Sequence, residues 1–92
     1  MSKFSLVLSG SFKRDLKLIV KRKRDISKMA TVVEMLLSGE RLPEKYKDHN
    51  LSGNWAGHRE CHIESDWLLL YYVEEDALTL TLTRTGTHSD LF

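Results

Sequence analysis

The chain changes rhythm part-way along its length. In its first part Phe12, Leu16, Ile19 and Val20 recur at helical spacing from Ser11 onward, with basic residues between them, which predicts an amphipathic helix. A second stripe, Ile26, Met29, Val33, Leu36 and Leu37, follows Asp25 and Ser27, either of which can cap a helix N-terminus. Gly39 then stands where a left-handed C-terminal residue belongs. Ahead of both helices, "KFSLVL" reads as a short strand ending at Ser9-Gly10. Toward the C-terminus the period becomes two: "LTLTLTR" sets Leu78, Leu80 and Leu82 against Thr79, Thr81 and Thr83, a strand with one face on a core.

Between these parts, "ERLPEKYKDHNLSGNWAG" (residues 40–57) carries the only proline and reads as a loop with at most one helical turn, leading into a short strand around Asn54 to Ala56. "CHIESDWLLLYYV" follows, and the polar groups at 64–66 and 74–76 break the C-terminal half into antiparallel strands. The two helical stripes belong to a core rather than to a cofactor site. The expected architecture is α+β, a small antiparallel sheet of about four to five strands with the N-terminal helix pair packed on one face. No repeat or linker-like segment interrupts it, so residues 1–92 are expected to form a single domain.

Composition agrees with a folded chain: 41% of residues are hydrophobic and 29% charged, richer in Leu, Val and Ile than disorder allows. Cys61 is the only cysteine, which excludes an internal disulfide and any cysteine-rich zinc site and favours a reducing, cytoplasmic setting. The apolar patch near the N-terminus is too short for a signal-peptide core or a membrane span. Charge is unevenly placed. Lys3, Lys13, Arg14, Lys17, Lys21, Arg22, Lys23 and Arg24 face Asp15 alone, a local +7 in a chain of net +1 that leaves −6 to the remainder. Such an arm either attracts a polyanion or is a solvated helix face.

The stretch "HRECHIESDWLLLYY" concentrates the candidate chemistry. His58 and His62 would bind a metal together on a helix, but on a strand four residues span roughly 13 Å. Adjacent Cys61 and His62 point to opposite sheet faces, against a Cys–His nucleophile. Alternation sets Cys61 and Ile63 on the core face and Glu60, His62 and Glu64 on the other, while Arg84 follows Leu78, Leu80 and Leu82 in register at a strand end. Cleaving RNA needs a base for the 2′-OH, an acid for the departing 5′-oxygen and a cation for the phosphate, which histidines, carboxylates and arginines can provide. Spacing alone leaves His49, His62, Asp66, Arg84 and His88 either as one site or as separate surface groups.

Three motifs in order, H-x-L-x-G-x-W-x-G-x-R from His49, H-x-x-x-D-W-x-L-x-Y from His62 and R-T-G-T-H-x-x-L-F from Arg84, closely resemble the YafQ-type toxins of the RelE/ParE toxin–antitoxin superfamily. With the basic helices the likeness covers nearly the whole chain. It implies an mRNA interferase, a metal-free endoribonuclease that cuts messages in the ribosomal A site by 2′-OH attack and so inhibits translation. It also implies a cognate antitoxin as partner, with operator DNA bound only by the toxin–antitoxin complex, and no cofactor. The motif positions carry over as His49, His62, Asp66 and His88, with Arg84 beside the phosphate. His88 and Asp66 become the leading acid/base candidates, and His49 and His62 orient or stabilise the phosphate. Glu60 is a further base candidate on the His62 face. Trp67 and Phe92 are candidates for stacking on bases, and Lys13, Arg14, Lys17, Lys21, Arg22, Lys23 and Arg24 for ribosomal RNA contacts. Competing readings are a gyrase-directed toxin of the ParE branch and a catalytically inert operator-binding co-repressor.

Overall fold

The computed structural model describes residues 2–92. The elements run β1 (Ser5–Leu8), α1 (Gly10–Lys21), α2 (Ile26–Leu37), β2 (His49–Asn50), β3 (Arg59–Glu64), β4 (Trp67–Glu74), β5 (Thr79–Gly86) and a short α3 (His88–Leu91), with 3-10 turns at Glu44–Tyr46 and Gly53–Trp55. Ser9 caps α1 by accepting from the Phe12 N–H, Asp25 caps α2 by accepting from Ser27, and Gly39 adopts φ 77° just past the second helix. Phe12 and Ile19 are buried on α1, but Val20 is exposed, because one further residue turns it about 100° round the axis. On α2 the buried stripe is Met29, Val32, Val33 and Leu36; Ile26 sits in the open first turn.

The strands form one sheet in the order β1-β5-β4-β3-β2. Its C-terminal strands are antiparallel as expected, but β1 lies parallel to β5. The helices rather than a hairpin follow β1, so nothing reverses it against its neighbour. The strand expected near Asn54 is absent: residues 53–55 form a 3-10 turn, and the pairing strand is His49–Asn50 against Arg59 and Glu60. Leu78 also leaves the apolar face of β5, since it closes the turn from Glu75 with φ 50° and is half-exposed.

Two bulges decide where the polar groups go. In β4–β5, Leu70 pairs with Arg84 and Tyr71 with Leu82, so Thr83 is an extra residue. Arg84 is therefore re-aimed away from the Leu80/Leu82 face to the side of Leu70. In β3–β4 the register shifts between His62 and Glu64, and Glu64 turns toward the helices, where it meets Arg24 and Lys28 instead of sharing the His62 face. The helix-covered face buries Cys61, Ile63, Trp67, Leu69, Tyr71 and Leu82. On the opposite face Leu68, Leu70 and Leu91 form a smaller cluster, edged by Leu51 and Trp55.

The C-terminal turn is fastened by Asp90. Its carboxylate accepts from Arg22 through both terminal nitrogens, at 2.6 and 3.1 Å, and from the Thr87 N–H at 2.9 Å, while Thr87 Oγ1 accepts in return from the Asp90 N–H. Gly86 (φ 154°) makes room, since a Cβ there would lie 2.8 Å from the Asp90 carboxylate. The Arg22 bond, with Thr87 next, holds the Asp90 carboxyl well below the usual carboxylate range. A depressed folded-state pKa means stability that is complete above the unfolded carboxyl's titration, about pH 4, and is lost as pH falls through the lower folded value. Asp90→Asn is thus expected to lower Tm by a constant few degrees above about pH 5, with the gap closing toward pH 2. Thermal melts across that range check it; a gap independent of pH would remove the ionic contribution.

Candidate active site

Cross-strand pairing aligns His49, Glu60, Leu70 and Arg84 in one row on the open face of the sheet, and His62, Leu68 and Gly86 in the next. Glu60 is the pivot. Its side chain is buried, and its Oε1 lies 3.2 Å from His62 Nε2 and 3.7 Å from His49 Nε2. His49 Nδ1 is 2.8 Å from the Lys47 carbonyl, which can only accept, so Nδ1 carries the proton and Nε2 faces Glu60.

His88 enters from the start of α3, its ring centroid 5.8 Å from that of His62. Its Nδ1 stands 2.8 Å from Asp66 Oδ1, which also accepts the His88 backbone N–H at 3.0 Å. A carboxylate acceptor assigns the Nδ1 proton and leaves Nε2 free for chemistry. The backbone bond from His88, followed by its ring, holds the Asp66 carboxyl below the ordinary range. Asp66 is therefore an ionised acceptor that orients an imidazole and is poorly suited to giving up a proton near neutrality. Glu60, His62 and His88 each present a ligand atom within 4.8 Å of the others. The histidine pair considered from spacing misses this trio, because His88 arrives from a C-terminal turn 26 residues beyond His62.

Other candidates sit elsewhere. Arg84 does not meet the histidines: its Nε and Nη2 bind Asp15 of α1 at 2.6 and 3.2 Å, and Asp15 also accepts the Thr85 N–H. Two ladder steps, about 10 Å, separate it from the Glu60 position. Trp67 is fully buried, donates from Nε1 to Thr85 Oγ1 at 3.0 Å and carries Arg24 over its ring, which removes it from the stacking candidates. Phe92 is 60% exposed and belongs to a run of ring contacts from His62 through His88, Phe92, Trp55 and His58 to Tyr72. Trp55, a member of the first motif, is the aromatic that sequence reading overlooked.

Of the basic helix residues, Arg22 and Arg24 are engaged with Asp90 and Glu64, whereas Lys13, Arg14, Lys17, Lys21 and Lys23 are exposed and make no ion pair among the described residues. Burial pushes the Cys61 thiol up, out of nucleophilic reach. Beneath β2, Asp48 accepts from Tyr71 and Arg59 at 2.5 and 2.9 Å and so pins the backbone that carries His49. No helix among the described residues is long and apolar enough to cross a membrane.

The chain that carries this site, a mixed sheet with a two-helix cover, is similar in sequence and fold to known proteins. A toxin of Helicobacter pylori solved with bound metal is 40% identical and superposes with a TM-score of 0.91, over 97% of this chain and 99% of that one. YafQ in the Escherichia coli DinJ–YafQ toxin–antitoxin complex is 38% identical with a TM-score of 0.89, over 98% of each chain. The curated Escherichia coli (strain K12) protein "mRNA interferase toxin YafQ" is 41% identical over 85 residues, covering 91% of this chain and 90% of that protein. The class these define is the bacterial toxin of type II toxin–antitoxin systems. Residues 4–92 match the family model "Bacterial toxin of type II toxin-antitoxin system, YafQ", and the chain belongs to the YafQ toxin family.

Proposed function

We propose that the chain is a ribosome-dependent endoribonuclease of the cytoplasm that cuts translated mRNA by metal-free acid/base catalysis. The observation that carries this reading is the His62/His88 pair, each ring backed by its own carboxylate, Glu60 and Asp66. With ring centroids 5.8 Å apart, one nitrogen from each can reach a different oxygen of a single phosphodiester. One imidazole takes the 2′-OH proton as that oxygen bonds to phosphorus. The other protonates the departing 5′-oxygen as its bond to phosphorus breaks, leaving a 2′,3′-cyclic phosphate and a 5′-OH end. His49 adds positive charge when protonated, and Arg84, its fork held by Asp15, acts as a neighbouring cation rather than a clamp on the cleaved phosphate.

The exposed lysines and Arg14 on and just after α1 suit ribosomal RNA. The Escherichia coli DinJ–YafQ complex supports a cognate antitoxin as partner; binding of operator DNA by such a pair is part of the same proposal. Glu60, His62 and His88 form a donor set of the kind zinc binds, and an ion held there would compete for the imidazoles of the acid/base step. Purified protein is expected to cut a defined message on translating ribosomes, leaving cyclic-phosphate ends, and added zinc is expected to inhibit. Intact message with DNA damage signalling in cells would move the assignment to a gyrase-directed toxin; stimulation by zinc would remove the metal-free step.

A further inference from the structure

Past His62 the candidate site continues into a cavity of about 530 Å³ between α2, the turn at Glu44–Tyr46 and the end of β3. Because β2 pairs only with Arg59 and Glu60, the outer edge of β3 beyond them has no strand neighbour among the described residues, and the cavity lies along it. Lys28, Lys45 and Lys47 line it, with the Thr31 and Ser65 hydroxyls and His62 itself. Among the described residues the one carboxylate in the wall is Glu64, already bound by Arg24 and Lys28. Lys45 and Lys47 make no ion pair among the described residues and are exposed. Lys47 takes a left-handed conformation, φ 50°, and its carbonyl holds His49, so the turn that places this lysine also places a histidine of the site.

We propose that this cavity seats a nucleotide of the message next to the cleaved bond, with Lys45 and Lys47 on its phosphate and the Thr31 and Ser65 hydroxyls available to its sugar or base. The inference rests on the ribonuclease reading above and adds to it the determinant of where the message is cut. Three features support it together. The wall includes His62, so an occupant touches a reacting group. The charge is positive, as a polyanion requires. The volume falls in the range of about 300–1,000 Å³ typical of small-molecule sites, and hydroxyls beside ammonium groups offer a nucleotide both kinds of contact.

The test uses Lys45→Gln/Lys47→Gln, with Lys3→Gln as a control on a different surface. Binding of a fluorescent single-stranded RNA methylated at every 2′-OH, which cannot be cut, is measured over a KCl series, and cleavage sites are mapped on ribosomes. The double variant is expected to bind about tenfold more weakly and to flatten the slope of log K against log[salt] by about 0.7, the value for one phosphate contact on a single strand. Its ranking of cleavage sites is expected to change, with Lys3→Gln unchanged. Wild-type slope and ranking in the double variant, while wild type binds and cuts, would overturn the cavity assignment and leave the ribonuclease reading intact. An even fall at every site with an unchanged slope would make the lysines ribosomal contacts. Loss of antitoxin affinity alone would make the cavity a peptide seat, and either result overturns the proposal. Failure of wild type to cut would instead remove the ribonuclease reading.

Discussion

Replacing His88 with alanine is expected to slow message cleavage by about 10²–10⁴-fold, the usual worth of a positioned acid or base, with little change in Tm because the side chain is mostly exposed. Added imidazole is expected to restore part of the rate, which a fold defect would not allow. Asp66→Asn separates the two carboxylate roles. Asp66 is held below the ordinary carboxyl range by His88, so it stays ionised throughout the pH range of histidine chemistry and cannot supply a titrating limb there. The variant is expected to cut about tenfold more slowly, through a less firmly held imidazole, with both limbs of the pH–rate profile retained. Loss of one limb would return the general-acid role to Asp66, and an unchanged rate in His88→Ala would end the catalytic assignment altogether.

Some of this architecture is legible in the residues because its causes are local. Ser9 and Asp25 cap helices by bonds to residues two or three positions on, and Leu80 and Leu82 show their face by alternation. The buried side of β3 follows in the same way from Cys61 and Ile63. What escaped sequence reading depends on single-residue events or distant partners. One extra residue at Thr83 reverses every side chain after it, so Arg84, in register with leucines on paper, lands on the opposite face. The same kind of slip near Ile63 takes Glu64 from His62 and gives it to α2. Arg84's partner, Asp15, lies 69 residues away, and no periodicity carries such a pair. Motif likeness placed His62 and His88 on one list; the pairing through Glu60 and Asp66 that gives them different surroundings is a matter of tertiary geometry.

The two aromatics proposed to stack on bases should now part company. Trp67→Ala removes the largest fully buried side chain and the Nε1 bond to Thr85, so a loss of about 3–5 kcal/mol is expected, a large share of the about 5–15 kcal/mol that holds a typical domain. Trp67→Phe keeps most of the volume and forfeits the hydrogen bond, for about 1–2 kcal/mol, and its folded fraction is expected to bind RNA as wild type does. Phe92→Ala reverses the pattern. At 60% exposure its truncation should move stability by less than about 0.5 kcal/mol. Stacking of one base on that ring is worth about 1–3 kcal/mol, so RNA affinity should fall about 5- to 150-fold. Denaturant titrations paired with binding to uncleavable RNA separate these outcomes. A Trp67→Phe variant that is stable but blind to RNA would place the indole at the substrate. A Phe92→Ala variant with undiminished affinity would leave the exposed end of the ring series without a role in binding.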